Sequence, residues 1–403
     1  MNSFAFLRLV SSFYKKKLPD LKKIQGKGLL AVKVAQHYAL RADFLSEEMC
    51  THLSKLYTHS YPAREETLSQ LIGDEEYLRS SFTSWEEKPF SSASVGQVHR
   101  GVTSTGERVA IKVIRGSFRE PFLRDLQSIE GLIERIRGVW PKFNKIFNPI
   151  GILENIKNYT LEELNLLHEY RDTEELRGIR DRWIEEFDLS TLDFPKLYRE
   201  LSSENLLVSQ YIEGETFDSL LSREALTYDT LLELFRLHSF YIFRVGTFHG
   251  DLHPGNIILG RDNKIYLIDC AGLSKISPKL QRGLFWFFYY LSRYDYHGAA
   301  RYLNRMSLIP IEGEVYDEFL NKFLLLYQDF KGATVSEISL TRRMMETIKM
   351  GINSGMDFGD GMFPVIKSLM YLDGMVLRCK PEAVLMEDVR EFTDYLIDWI
   401  PKE

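Results

Sequence analysis

The sequence is poor in cysteine. The three it has, Cys50, Cys270 and Cys379, are far apart, odd in number and without a CxxC spacing. That argues against a disulfide framework or a thiolate zinc site and for a reducing compartment, read here as the cytoplasm. A long basic run is also missing, and the chain of 403 residues carries a formal net charge of −6. Binding a phosphate backbone needs clustered lysine and arginine, so no nucleic acid is expected as a partner. Nor is there a long apolar run. The most apolar stretch, LFWFFYYL (284–291), falls far short of the roughly 20 residues that span a bilayer and is expected inside a helical core. Internal repeats and low-complexity segments are absent. The N-terminus, MNSFAFLRLVSSFYKKK, lacks a signal-peptide layout because Arg8 interrupts its apolar stretch. Phe4, Leu7 and Phe13 followed by Lys15, Lys16 and Lys17 suit a helix lying peripherally on an anionic membrane. They suit equally a helix packed on its own chain, the reading favoured here because one short basic cluster is weak evidence.

What is present is an ordinary globular composition, with 44% hydrophobic and 27% charged residues, in a chain long enough for two lobes. Residues 1–88 read as helical, with GLLAVKVAQHYALRADFLSEEMCTHLSKLY at helical spacing. In 89–115, SSASVGQVHRGVTSTGERVAIKVIR is first small and polar, then alternating and β-branched: a loop and two strands turning at Thr105-Gly106. Helical patterns return over 118–185. PKLYRELSSENLLVSQYIEGETF reads as two short strands and a connector at Glu213-Gly214. From Tyr228 the chain is helical to its end except at 247–273. The partition is thus 1–88, a helical extension; 89–212, a β-rich lobe with inserted helices; and 213–403, a helical lobe.

The exception at 247–273 holds the chemistry. HGDLHPGN (249–256) places Asp251 and Asn256 on one tight loop shaped by Pro254 and Gly255, and Asp269 ends the apolar strand IYLI. Phosphoryl transfer from a nucleotide needs a magnesium ion on phosphate oxygens, a lysine to steady them and a carboxylate to orient the attacking group. Magnesium favours hard oxygens, often a carboxylate and a neutral amide oxygen. Asp251, Asn256 and Asp269 answer that requirement. The bland alternative, a strained loop whose Asp and Asn satisfy nearby backbone, is weakened by the density of the string. Lys112, in the strand VAIKVI, suits the phosphate-steadying role, and SSASVGQVHR upstream stands where a phosphate-covering loop is expected.

Over nearly the whole chain from about Gly28, these strings resemble the UbiB/aarF-domain family of protein-kinase-like proteins. The resemblance implies an α+β, protein-kinase-like bilobal fold with an N-terminal helical extension. It also implies ATP and Mg2+ as cofactors and ATPase or small-molecule phosphotransfer activity supporting isoprenoid-quinone or lipid metabolism, with a lipid or quinone precursor as ligand. PFSSASVGQVHR (89–100) looks like the family's Ala-rich nucleotide loop, with Ser91, Ser92, Ala93 and Ser94 at its core. Lys112 is the nucleotide lysine. SQYIEGE (209–215) looks like the hinge, placing Gln210 and Ile212 at the nucleotide. Asp251 stands at the catalytic aspartate, Asn256 and Asp269 at the metal ligands. KVAQ, with Lys33 and Gln36, is similar to the family's Lys-x-Gly-Gln motif, and LRADFLSEE flanks it.

Three departures bear on activity. Ala35 stands where the family motif has Gly, and Ala271 replaces a Gly of the metal segment. The family also has a Glu-x-Asp-Tyr segment followed by a Glu that pairs with the strand lysine. Aligned on Tyr170, this chain has Leu167, Glu169 and Thr173 at those places, and Glu174 lies one position off. No carboxylate is therefore assigned to Lys112 or to Lys33, which leaves room for a weak or altered activity. Two further readings stand beside the first. Aminoglycoside and choline phosphotransferases carry a similar HGDLHPGN loop but lack the KVAQ helix and the SSASVGQVHR loop. A nucleotide-binding pseudokinase regulator would fit the missing glutamate, but has no chemical need for all of Asp251, Asn256 and Asp269.

Overall fold

Alternation along one strand shows how the β-rich part is assembled. In a computed structural model describing residues 3–39, 45–58, 66–92, 95–114, 118–139, 149–359 and 361–401, Arg108–Ile114 is the central strand of a five-stranded sheet. Val109, Ile111 and Val113 are buried against Leu68, Leu78, Phe82 and Val208. Period-two geometry then sends Lys112 to the opposite face. Numbered along the chain, β1 (Phe82–Trp85) and β2 (Ser91–Ser92) both pair with β3 (Gly96–Thr103), and β3 pairs antiparallel with β4 (Arg108–Ile114). Gly106, at φ 86°, takes the left-handed turn that joins them. β5 (Leu192–Asp193) belongs to a second sheet, and β6 (Leu206–Gln210) closes the first beside β4.

The chain forms two compact units, 1–172 with 195–211, and 173–194 with 212–403. This division differs from the partition read from sequence. Residues 1–88 do not stand apart: Leu9, Phe13, Leu30, Val34 and Leu53 share one core with Phe122, Leu126, Ile129, Leu153 and Ile156 of helices Arg119–Val139 and Pro149–Glu163. Residues 82–85, expected as helix, are strand β1. Residues 173–194 join the helical unit because Leu176, Ile179, Phe187, Leu189 and Leu192 are buried in its core. The first of the two strands expected after Pro195 is reduced to a single bridge from Leu197 to Ser209, followed by a 3-10 turn, Arg199–Leu201.

The second unit centres on helix Pro278–Ser292, capped by Ser277 with Pro278 in its first turn. Leu284, Phe285, Trp286 and Phe287 of its apolar run are fully buried, as expected of a core segment. The second sheet, in order β5-β10-β9-β7, joins β7 (Gly214–Thr216), β9 (Ile257–Gly260) and β10 (Ile265–Leu267), while β8 (Thr247–Phe248) pairs with β11 (Ser274–Lys275). At the N-terminus, helix Ser3–Phe13 buries Leu9 and Phe13 and leaves Phe4 and Leu7 exposed. Phe13 packs its ring on Tyr38, in keeping with the favoured reading of a helix packed on its own chain. No helix among the described residues is long and apolar enough to cross a membrane.

Candidate functional site

In the first unit, Lys112 lies in the middle of β4, opposite Val98 of β3 and Leu207 of β6. Strands on both sides hold its backbone, so its side chain starts from a rigid base. On that face Ile114 and Leu207 pack with Leu164 and Leu166, and the Leu166 N–H donates to the Glu204 carbonyl at 2.8 Å. This anchors the start of helix Leu166–Trp183 to the sheet and brings Glu169, in its first turn, to Lys112. The Nζ–Oε2 distance is 2.7 Å, with the two side chains 14% and 6% exposed. The carboxylate that the sequence left unassigned is thus Glu169, at the place where the family has Asp. Glu174 pairs with Arg177 instead.

Lys33 and Gln36 are both buried. Lys33 forms an ion pair with Glu163 and lies 5.4 Å from the Tyr159 ring, while Gln36 Nε2 donates to the Leu56 carbonyl at 3.0 Å. Within this unit they tie helix Leu29–Ala39 to its helical neighbours. Ala35 is fully buried in the same core. Residues 40–44, of LRADFLSEE, lie outside the described residues, as do Ala93 and Ser94 of the expected nucleotide loop. Ser91 pairs with Val98 and Ser92 with Gln97 in β2 and β3. Gln210 ends β6 with its Oε1 accepting from Lys196 N–H at 3.2 Å. Ile212 is the buried first residue of the second unit's main segment.

In the second unit the loop 249–256 is held by its own side chains. Buried His249 accepts the Asp251 N–H at Nδ1, 3.0 Å away, and its Nε2 lies 3.0 Å from the Ile268 carbonyl. An acceptor at Nδ1 and an acceptor facing Nε2 together fix the neutral Nε2–H tautomer. Burial pushes the imidazole below the usual histidine range, in the same direction. Asn256 Nδ2 donates to the Asp251 carbonyl at 3.1 Å, and the Ile268 N–H donates to the Asn256 carbonyl at 2.9 Å. Asp251, Asn256 and the residue preceding Asp269 are therefore linked by hydrogen bonds, His249 being the staple. Gly250 has no room for a side chain: a Cβ there would stand 2.2 Å from the Gly272 carbonyl oxygen.

Asp269 itself takes a left-handed φ of 55°, and Gly272 one of 83°. A non-glycine residue in that region is uncommon and marks a constrained backbone. Ala271 is not among the left-handed residues, so its position calls for no glycine on that account; Gly272 supplies the turn. The donor set suits magnesium in kind. With Nδ2 committed to the loop, Asn256 presents Oδ1 as its amide oxygen, and Asp269 offers a carboxylate. No cluster of three or more His, Cys, Asp or Glu poised for a metal occurs among the described residues.

One contact was not legible as a motif. Lys367, on helix Met362–Cys379, is buried and places Nζ 3.3 Å from Oδ1 of Asp251. Its only sequence signal is a lysine set among apolar residues in FPVIKSLMYL.

The model of the ABC1 atypical kinase-like domain matches residues 58–303, more than half of the chain. A probable protein kinase UbiB from Aeromonas salmonicida is 25% identical over 409 aligned residues, spanning 96% of this chain and 72% of its own. An uncharacterized protein in the hydrogenase 1 5′ region of Clostridium pasteurianum is 24% identical over 388 residues, spanning 92% and 70%. Among solved structures, the complex of Rv3197 with erythromycin from Mycobacterium tuberculosis has a TM-score of 0.48 and 19% identity, covering 88% of this chain and 91% of that one.

Proposed function

The chain belongs to the ABC1 atypical kinase-like family, and on that premise we propose that it is an ATP-dependent phosphotransferase or ATPase with the bilobal kinase fold. The observation that carries the reading is the hydrogen-bonded set His249, Asp251, Asn256 and Ile268. It supports a catalytic carboxylate and two metal-ligand oxygens held in a defined arrangement before any ligand arrives, which is what electrostatic catalysis of phosphoryl transfer requires. Asp251 would orient the attacking hydroxyl or water and accept its proton. Lys112, aimed by Glu169, would steady the phosphates. Asn256 and Asp269 would hold magnesium, which when bound neutralises charge on the phosphate oxygens. The paired Lys112 favours an active enzyme over a pseudokinase regulator. A lipid or quinone-precursor acceptor rests on the resemblance to UbiB proteins. A peripheral membrane contact through residues 1–17 rests on exposed Phe4 and Leu7.

The test is thermal shift with Mg-ATP and Mg-ADP, then ATP hydrolysis with and without anionic liposomes and phenolic quinone precursors. Both nucleotides should raise the melting temperature. Asp251→Asn should bind nucleotide and hydrolyse none. The chain lacking residues 1–17 should lose any stimulation by liposomes. No shift with either nucleotide overturns the reading, and unchanged hydrolysis in Asp251→Asn removes Asp251 from its role.

A further inference from the structure

The backbone of Asp251 is fixed by its own loop, through His249 on its N–H and Asn256 on its carbonyl. Its carboxylate is addressed from elsewhere in the second unit. Lys367 Nζ stands 3.3 Å from Oδ1, with the lysine side chain only 9% exposed. Oδ1 is buried and receives no aligned hydrogen bond among the described residues, so the contact is an ion pair of charge on charge. The same helix meets the loop a second time. Lys367 and Tyr371 share a face, one turn apart; Nζ lies 5.9 Å from the Tyr371 ring, and that ring meets the His253 ring nearly edge-on at 5.6 Å.

A buried ammonium is costly unless a counter-charge meets it. The flanking positions of this helix, Val365, Leu372 and Met375, are core residues, so a leucine or methionine at 367 would have served packing alone. The counter-charge that stands 3.3 Å from this ammonium is the carboxylate assigned to catalysis. We propose that Lys367 is a positioning residue for Asp251, holding its carboxylate in the orientation from which it receives the attacking group. This rests on the function proposed above.

The experiment compares wild type, Lys367→Met, Lys367→Arg, Asp251→Asn and the double variant Lys367→Met/Asp251→Asn. It reads kcat and KM for Mg-ATP hydrolysis, nucleotide thermal shift, and melting without nucleotide. Lys367→Met should lower kcat about tenfold or more with KM for Mg-ATP within about threefold, a loss confined to the reacting state. Lys367→Arg should recover part of the rate. A Lys367→Met that keeps kcat within about twofold of wild type, or one that loses kcat and nucleotide binding together, overturns the proposal. If Lys367→Met does not fold, the double variant decides, since it removes both charges. A folded, nucleotide-binding double variant supports the pairing with Asp251; an unfolded one makes Lys367 a structural anchor and ends the proposal. Wild-type protein without a Mg-ATP shift sinks the functional reading itself, an outcome distinct from any of these.

Discussion

Glu169→Gln is the substitution with the most to say about Lys112. It keeps the shape of the side chain and removes its charge, leaving Lys112 with an amide at the 2.7 Å position in a pair whose side chains are 14% and 6% exposed. Breaking a buried ion pair by removing one partner costs about 3–5 kcal/mol, because the remaining charge stays desolvated. The amide can still accept one hydrogen bond and Lys112 is not wholly sealed from water, so the lower end, about 3 kcal/mol, is the expected loss. At about 2–4 °C per kcal/mol for a unit of this size, that is a fall of about 6–12 °C in melting temperature.

Differential scanning calorimetry without nucleotide reads the stability term, and Mg-ATP titration reads the positioning term. Glu169→Gln should weaken nucleotide binding as well, since a lysine released from its carboxylate no longer points reliably at phosphate. Glu174→Ala is the control. That carboxylate pairs with Arg177 on a 40% exposed side chain, and an exposed pair of this kind is worth about 0–1 kcal/mol. If Glu174→Ala reproduces the Glu169→Gln phenotype, or if Glu169→Gln changes neither melting nor affinity, then Glu169 is not the partner of Lys112 in solution.

Two other perturbations test the second unit. Gly250→Ala would drive a methyl to 2.2 Å from the Gly272 carbonyl and 2.7 Å from Ser274 Oγ. Backbone cannot yield cheaply, so a destabilisation of about 1–3 kcal/mol is expected, with a loss of hydrolysis larger than the melting shift alone accounts for; full activity in a folded Gly250→Ala would show that the loop adjusts freely. His238 is fully buried, its Nε2 has no hydrogen-bond partner among the described residues, and burial pushes it down to about 3. Below an unfolded value near 6.5 the unfolded chain takes up a proton that the folded chain refuses, so stability is complete above that pH and falls as pH drops. At pH 5 this term is about 2 kcal/mol. His238→Leu should therefore be nearly neutral at pH 7.5 and raise stability relative to wild type at pH 5, by chemical denaturation at both; the shallower acid slope that remains belongs to His249, shifted in the same direction, and to carboxylates held low by their partners, Asp193 and Glu233 among them. An unchanged pH 5 difference would mean that His238 is protonated in the folded protein.

The parts legible in the sequence are those whose chemistry is local. β3, β4 and their turn follow from alternation and Gly106, because a strand with one buried face must alternate. HGDLHPGN declares itself because its backbone is braced by its own side chains, with His249 bonded to Asp251 and to the nearby Ile268 carbonyl. What the sequence hid depends on contacts made over long separations. Helices 119–139 and 149–163 bind residues 3–39 and 45–58 into one core through Phe122, Leu126 and Ile156, and no periodicity says which apolar stripe meets which. Lys367 lies far along the chain from Asp251, on a helix whose pattern says only that it is buried.

The Lys112 carboxylate shows why a motif position is a weaker constraint than the contact it serves. Glu169 and Thr173 are four residues apart and so share one face of the helix Leu166–Trp183. An acid one turn earlier can serve a strand lysine provided that the helix begins close enough to the sheet. Here it does: Leu164 and Leu166 pack on Ile114 and Leu207, and the Leu166 N–H is bonded to the Glu204 carbonyl. The same logic disposes of the two alanines. Ala271 stands where the backbone needs no left-handed residue, because Asp269 and Gly272 take those angles, and Ala35 is fully buried in the helical core of the first unit. At Glu169 and Gly272, neighbouring residues supply the carboxylate beside Lys112 and the left-handed turn that the motif letters place elsewhere. Loss of activity therefore does not follow from loss of the motif letters, and the question passes to whether Lys112 stays paired when Glu169 is changed.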